Sequence, residues 1–143
     1  MLRKKLLFPL ASFAMLAPSL AIAQLSGLTI QITNALPATG SVEVTLFNSK
    51  ESFMKEAYLQ QVHAMDENDT FTVTFPGVEE GEYAVVVVHD ENGNEKYDAG
   101  FLGIGAENLG YSNNVRPLLG RPDFDDIKVT VGPEPKEIEI QLD

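Results

Sequence analysis

The 143-residue chain contains no cysteine. That excludes disulfide staples and a diacyl lipoprotein anchor, so the fold must be held by packing, hydrogen bonds or a metal. Basic residues are also few: ten Lys and Arg stand against 21 Asp and Glu, a formal net charge of −11. Such a surface repels nucleic acid and anionic membranes and favours cations or basic partners, with solubility as the simpler consequence. No long helical period, internal repeat or low-complexity tract is present, so neither a helix bundle nor a repeat array is in prospect. The Gly-x-Ser-x-Gly elbow of many serine hydrolases is missing too, and no histidine lies near Ser112 in sequence to activate it.

The first residues have a different character. Met1-Leu2-Arg3-Lys4-Lys5 is basic, Leu6 to Leu20 is apolar, and Ala21-Ile22-Ala23 precedes Gln24. A positive start, an apolar middle and a small-x-small exit form a cleavable secretory signal peptide. Pro9 and Pro18 interrupt the run and argue against a transmembrane anchor. The expectation is a signal over residues 1–23, a single domain over 24–143, and export to the periplasm or medium with no membrane anchor after cleavage. With Arg3, Lys4 and Lys5 removed, seven basic residues would face the 21 acidic ones.

Period-two alternation dominates the remainder. Leu28, Ile30 and Ile32 alternate with Thr29, Gln31 and Thr33, and Val42, Val44 and Leu46 alternate with Ser41, Glu43 and Thr45. Phe71 to Phe75, Ile127 to Val131 and Ile138 to Leu142 repeat the pattern, and Tyr58 to Met65 is a weaker candidate. Each reads as a strand with one wet face. Tyr83 to Val88 is apolar throughout and reads as a central strand covered on both sides. Turn chemistry separates these segments at 36–40, 76–81 and 132–135. A helix of one or two turns is expected at Asn48, with Glu51 completing a capping box. The pattern predicts an all-β, antiparallel β-sandwich of immunoglobulin-like or transthyretin-like type. About seven strands and one long irregular loop are expected.

That loop, from His89 to Phe124, has no convincing strand and is rich in glycine and asparagine. Long ordered loops usually carry function, and this one leaves directly from the most buried strand. Asp90, Asn92, Asn94 and Asp98 fall at positions 1, 3, 5 and 9 of a calcium-loop pattern, with the Lys96 carbonyl at position 7. A hard cation needs several oxygens, and alternate side chains of a tight coil supply them. Glu95 and Phe101 stand where an EF-hand has glycine and glutamate, and Glu107 is the candidate for the closing carboxylate. With two carboxylates among the loop positions, calcium affinity should be low, on the order of 10⁻⁴–10⁻³ M. The alternative is a metal-free acidic turn on Asn92-Gly93.

These residues also carry a resemblance. His89-Asp90-Glu91-Asn92-Gly93-Asn94, Tyr97-Asp98, Gly103-Ile104 with Glu107, Gly110-Tyr111-Ser112-Asn113-Asn114 and Gly120-Arg121-Pro122-Asp123-Phe124-Asp125-Asp126 resemble the motifs of the DUF2141 family of exported bacterial proteins. The likeness spans nearly the whole of residues 24–143. Glu95 and Gly105 depart from the glycine and proline of the family pattern. The family has no established activity, so the resemblance implies location rather than chemistry.

Other residues have structural readings beside functional ones. His89 is expected to be a partly buried histidine hydrogen-bonding the loop, and His63 a surface residue. Tyr111, Ser112, Asn113 and Asn114 should turn the chain through side-chain-to-backbone bonds. Arg116 and Arg121 could clamp an anion or form internal salt bridges. Asp123, Asp125 and Asp126 fit either a second cation site or a cap on a turn. The functional expectation is a non-catalytic extracytoplasmic module with a calcium-ordered loop, binding a protein, glycan or small ligand. The alternative is a small hydrolase using loop carboxylates with His89.

Overall fold

The structure, a computed structural model, describes residues 26–35, 40–67, 70–94 and 107–143. The described residues form eight strands: β1 Gly27–Thr33, β2 Ser41–Phe47, β3 Leu59–Ala64, β4 Phe71–Pro76, β5 Gly81–Asp90, β6 Leu109–Tyr111, β7 Val129–Val131 and β8 Lys136–Gln141. A 3₁₀ turn, Ser112–Asn114, follows β6, and one short helix, α1, covers Phe124–Ile127. The strands make two sheets, ordered β4-β1-β8 and β3-β2-β5-β6, with β7 also paired to β5. The protein is therefore all-β. No helix among the described residues is long and apolar enough to cross a membrane.

Alternation places one face of each sheet inside. Leu28, Ile30 and Ile32 of β1, Val42, Val44 and Leu46 of β2, and Val85 and Val87 of β5 are all 0% exposed. They join Val73, Phe75, Val131, Ile140 and Leu142 in one hydrophobic cluster that draws on both sheets. Burying each of these side chains contributes about 1.5–3 kcal/mol. The unbroken apolar run of β5 has the expected consequence of burial on both faces. Its other face, Ala84 and Val86, packs into a second cluster with Phe47, Phe53, Tyr111, Phe124 and Ile127. Phe53 meets Phe47 and Phe124 edge-on, with centroids 5.4 and 6.1 Å apart. At one margin the two sheets are tied by Gln61 of β3, whose amide donates to the Thr74 carbonyl of β4 at 2.9 Å.

Four details differ from expectation. First, β8 runs parallel to β1, pairing Leu28 with Lys136 through Thr33 with Gln141. Hairpins force neighbouring strands antiparallel, but β1 and β8 are separated by most of the domain and escape that constraint. Second, Asn48 starts no helix. Ser49 takes the capping role, its hydroxyl accepting from the Ser52 N–H at 3.2 Å, and Met54 at φ 58° breaks the turn before a helix can extend. Third, Ile127 belongs to α1 rather than to the strand that follows it. Fourth, the 89–124 excursion contains a strand, β6, too short to show a period. The 36–40 turn lies mostly outside the described residues.

Candidate functional site

The excursion starts from rigid backbone because β5 continues to Asp90, where Val42 pairs with His89 and Ser41 with Asp90. His89 has the same strand parity as Val85 and Val87 and is 0% exposed, so it is more deeply buried than the sequence suggested. Its N–H donates to the Asn108 carbonyl at 2.9 Å, fastening the returning leg of the excursion. Gly40 closes the opposite side. At φ 65°, a Cβ there would lie 1.9 Å from the Asp90 carbonyl oxygen, so only glycine fits.

Beyond Asp90 the chain turns over the aspartate's own side chain. Asp90 Oδ1 accepts from the N–H groups of Gly93 at 2.7 Å and Asn94 at 3.2 Å. Asn92 Oδ1 accepts from the Asn94 N–H at 2.9 Å, and Gly93 supplies the positive φ of 73°. Glu107 comes back to this turn, its Oε1 accepting from the Glu91 N–H at 3.2 Å. Asp90 and Glu107 are each 6% exposed. Asp90, Asn92, Asn94 and Glu107 are thus gathered around one turn, whereas Lys96 and Asp98 lie outside the described residues. Among the described residues, no three His, Asp or Glu side chains are grouped to hold a metal.

The Tyr111–Asn114 tract is a set of struts. Ser112 is 0% exposed; its hydroxyl accepts from the Val85 N–H at 3.0 Å and donates to the Ile127 carbonyl. The hydroxyl thereby extends the β5 ladder past the end of β6 and holds α1 beside it. Asn113 Nδ2 donates to the Lys128 carbonyl at 3.1 Å. Asn114 Oδ1 accepts from the Gln141 N–H at 2.8 Å, and its Nδ2 donates to the Glu139 carbonyl at 3.3 Å, locking the tract to β8. Both asparagines have positive φ, 62° and 51°, a region asparagine tolerates better than most residues. Gly110 is required by proximity, since a Cβ would stand 2.6 Å from Ile140 Cγ2. Arg116 forms an ion pair with Asp143 and reaches Gln141 Oε1 at 3.4 Å. Glu107, Tyr111, Asn114 and Arg116 share a polar cleft of about 410 Å³ beside β6.

The acidic cluster near the end is also occupied. Asp126 accepts from the Asp123 N–H at 3.1 Å, a cap on α1. Asp125 pairs with Lys50 and, at 3.4 Å, with Lys128. The bond from Lys50, aided by Lys128, holds its carboxyl below the usual range. Lys128 is raised in turn, chiefly by Glu82. His63 is half-buried, bonded to Gln61 at 3.1 Å and tilted against Phe71.

Sequence reasoning missed a groove of about 890 Å³ on the outer face of the five-stranded sheet. Thr45 and Phe47 of β2, Val86 and Val88 of β5, and Leu109 and Tyr111 of β6 line it. Lys55, Gln60, Glu43 and Arg121 stand among the other lining residues. The signal lay in β2 and β5 together. The wet face of β2 and the second apolar face of β5 point the same way, so a half-covered surface of mixed character was implied once these strands paired.

No match to this chain is found among the curated proteins or among the solved structures. Residues 30–139, which include the Asp90–Asn94 turn and the Tyr111–Asn114 tract, match the family DUF2141, an uncharacterized protein conserved in bacteria. The chain belongs to the DUF2141 family.

Proposed function

We propose that this protein is a non-catalytic binding module working outside the cytoplasm, with its ligand site in the groove on the outer face of the five-stranded sheet. The fold is read as a β-sandwich of immunoglobulin-like or transthyretin-like type. Support comes from the single hydrophobic cluster drawn from both sheets and the Gln61 tie between β3 and β4. Export rests on the basic start, apolar run and Ala-Ile-Ala exit of residues 1–23.

The observation that carries the binding reading is the contrast between motif and groove. His89, which the hydrolase alternative pairs with loop carboxylates, is 0% exposed and built into the interior, and the carboxylates Asp90 and Glu107 are 6% exposed. The groove is open, of ligand size, and floored by apolar side chains with a few polar groups, the usual character of a small-molecule site. Calcium is proposed to order the start of the excursion. Two carboxylates 6% exposed at one turn are costly unless cations or hydrogen bonds compensate them, and Asp90, Asn92 and Glu107 present oxygens there, with Asn94 in the same turn.

The test is a ligand-library thermal-shift screen on residues 24–143, with Val88→Trp as the filled-groove control. Ligands that raise the melting temperature of the parent and fail on Val88→Trp are expected. Hits that bind both chains equally would place the site elsewhere.

A further inference from the structure

Resting on the binding reading above, we infer that the groove takes an amphipathic anion: a small molecule with an apolar body and one acidic head, of the fatty-acid class. The floor sets the first half of this. Phe47, Val86 and Tyr111 are 6%, 4% and 6% exposed, and Val88 and Leu109 beside them are half-buried. They form a strip across three strands, since Val86 is paired with Tyr111 and Val88 with Leu109. An apolar body laid along this strip leaves water at little polar cost.

Charge sets the second half. The chain is strongly acidic, with a net charge of −11, yet two of its scarce cations, Lys55 and Arg121, line this groove. They arrive from separate segments, Lys55 from the turn after β2 and Arg121 from the stretch before α1. Lys50, Arg116 and Lys128 are spent in ion pairs with Asp125, Asp143 and Glu82. Lys55 and Arg121 form no ion pair among the described residues. Glu43, the carboxylate of the groove, accepts a hydrogen bond from Thr45 at 3.2 Å. It lies four residues before Phe47 on β2, about 13 Å along an extended strand. Glu43 is the one acidic side chain among the lining residues, against two basic ones. A cationic or neutral chain would gain nothing from the two bases.

The experiment uses the purified chain from residue 24 and three probes of equal chain length: dodecanoate, dodecanol and dodecyltrimethylammonium, below their aggregation concentrations. Binding is read by calorimetry and by displacement of a fluorescent fatty-acid analogue. Dodecanoate is expected to bind about tenfold or more tightly than the other two, as one charge-assisted contact allows. Lys55→Gln with Arg121→Gln should remove that preference while dodecanol binding is retained. A conservative Lys55→Arg with Arg121→Lys chain should keep the preference. Equal binding of all three probes, preference for the cation, or no binding of any would overturn the assignment of an anionic ligand. The broader binding reading falls separately, on a library screen that yields no ligand blocked by Val88→Trp.

Discussion

Ser112 shows how a residue that invites a catalytic reading can be fully used in holding a fold together. Its hydroxyl accepts from Val85 and donates to Ile127 in a site with no exposed surface. Removing the oxygen strands a buried N–H and a buried carbonyl at once, so Ser112→Ala should destabilise the fold by about 1–3 kcal/mol in urea unfolding. Once allowance is made for stability, ligand binding should be unchanged; a variant as stable as the parent would show that the bonds do not form. Tyr83 makes a second residue-scale prediction. Burial, then the neighbouring Tyr58, pushes its phenol from 10.0 up to about 12, and its hydroxyl donates to the Glu79 carbonyl at 3.0 Å. The folded chain holds this proton more tightly than the unfolded chain does. The resulting stabilisation is complete below pH 10 and is lost as pH rises through about 12. An ultraviolet titration should therefore include a late-ionising step that is absent from Tyr83→Phe. Ionisation of all tyrosines together near pH 10 would contradict the burial.

At the scale of elements, the strands that could be read from sequence were those whose side chains report a periodic environment. β1 and β4 alternate because each has one buried face, as β2 does over its first four residues, and β5 is apolar throughout because two clusters cover it. β7 was legible because Val129 and Val131 continue the alternation, although Ile127 before them falls in α1, whereas β6, at three residues, is shorter than the pattern needed to detect it and depends on pairing with β5. The direction of β8 was hidden for a related reason: it is decided by where the chain re-enters the first sheet after crossing from β7 through 132–135. Of the expected calcium-loop residues, Asp90, Asn92 and Asn94 were visible through spacing, and Glu107 through its position in the excursion. The groove belongs to no segment, so no local pattern could announce it. The turn after β5 yields a prediction at this scale. If calcium is held there, binding stabilises the folded state alone, by about 2.7 kcal/mol at a hundred times the dissociation constant. Melting should then rise by several degrees between chelator and ~10 mM calcium. Glu107→Gln, which keeps an acceptor for the Glu91 N–H but loses the charge, should lose most of that rise, and Asp123→Ala should keep it. An unchanged melting temperature in the parent would reduce the turn to one closed by Asp90 and Asn92 alone.

Across the whole molecule, labour is divided between two regions fixed by the same central strand. The inner face of β5 is sealed between the sheets, with His89 at its end anchoring the excursion. The outer face is covered by Phe53, Phe124 and Ile127 over part of its length and left open over the rest. The family motifs maintain this arrangement: Gly110 and Asn114 hold β6 against β8, and Ser112 holds α1 on β5. On this view the motifs preserve the walls of a site rather than supply its chemistry. The most direct measurement is an amide-resolved NMR titration of residues 24–143 with dodecanoate or a screening hit. Shifts are expected to concentrate at Thr45, Val86, Val88 and Tyr111, the lining of the groove, with little change at Asp90 to Asn94. Shifts confined to the turn at Asp90 to Asn94, or to the exposed edge strand β3, would contradict it.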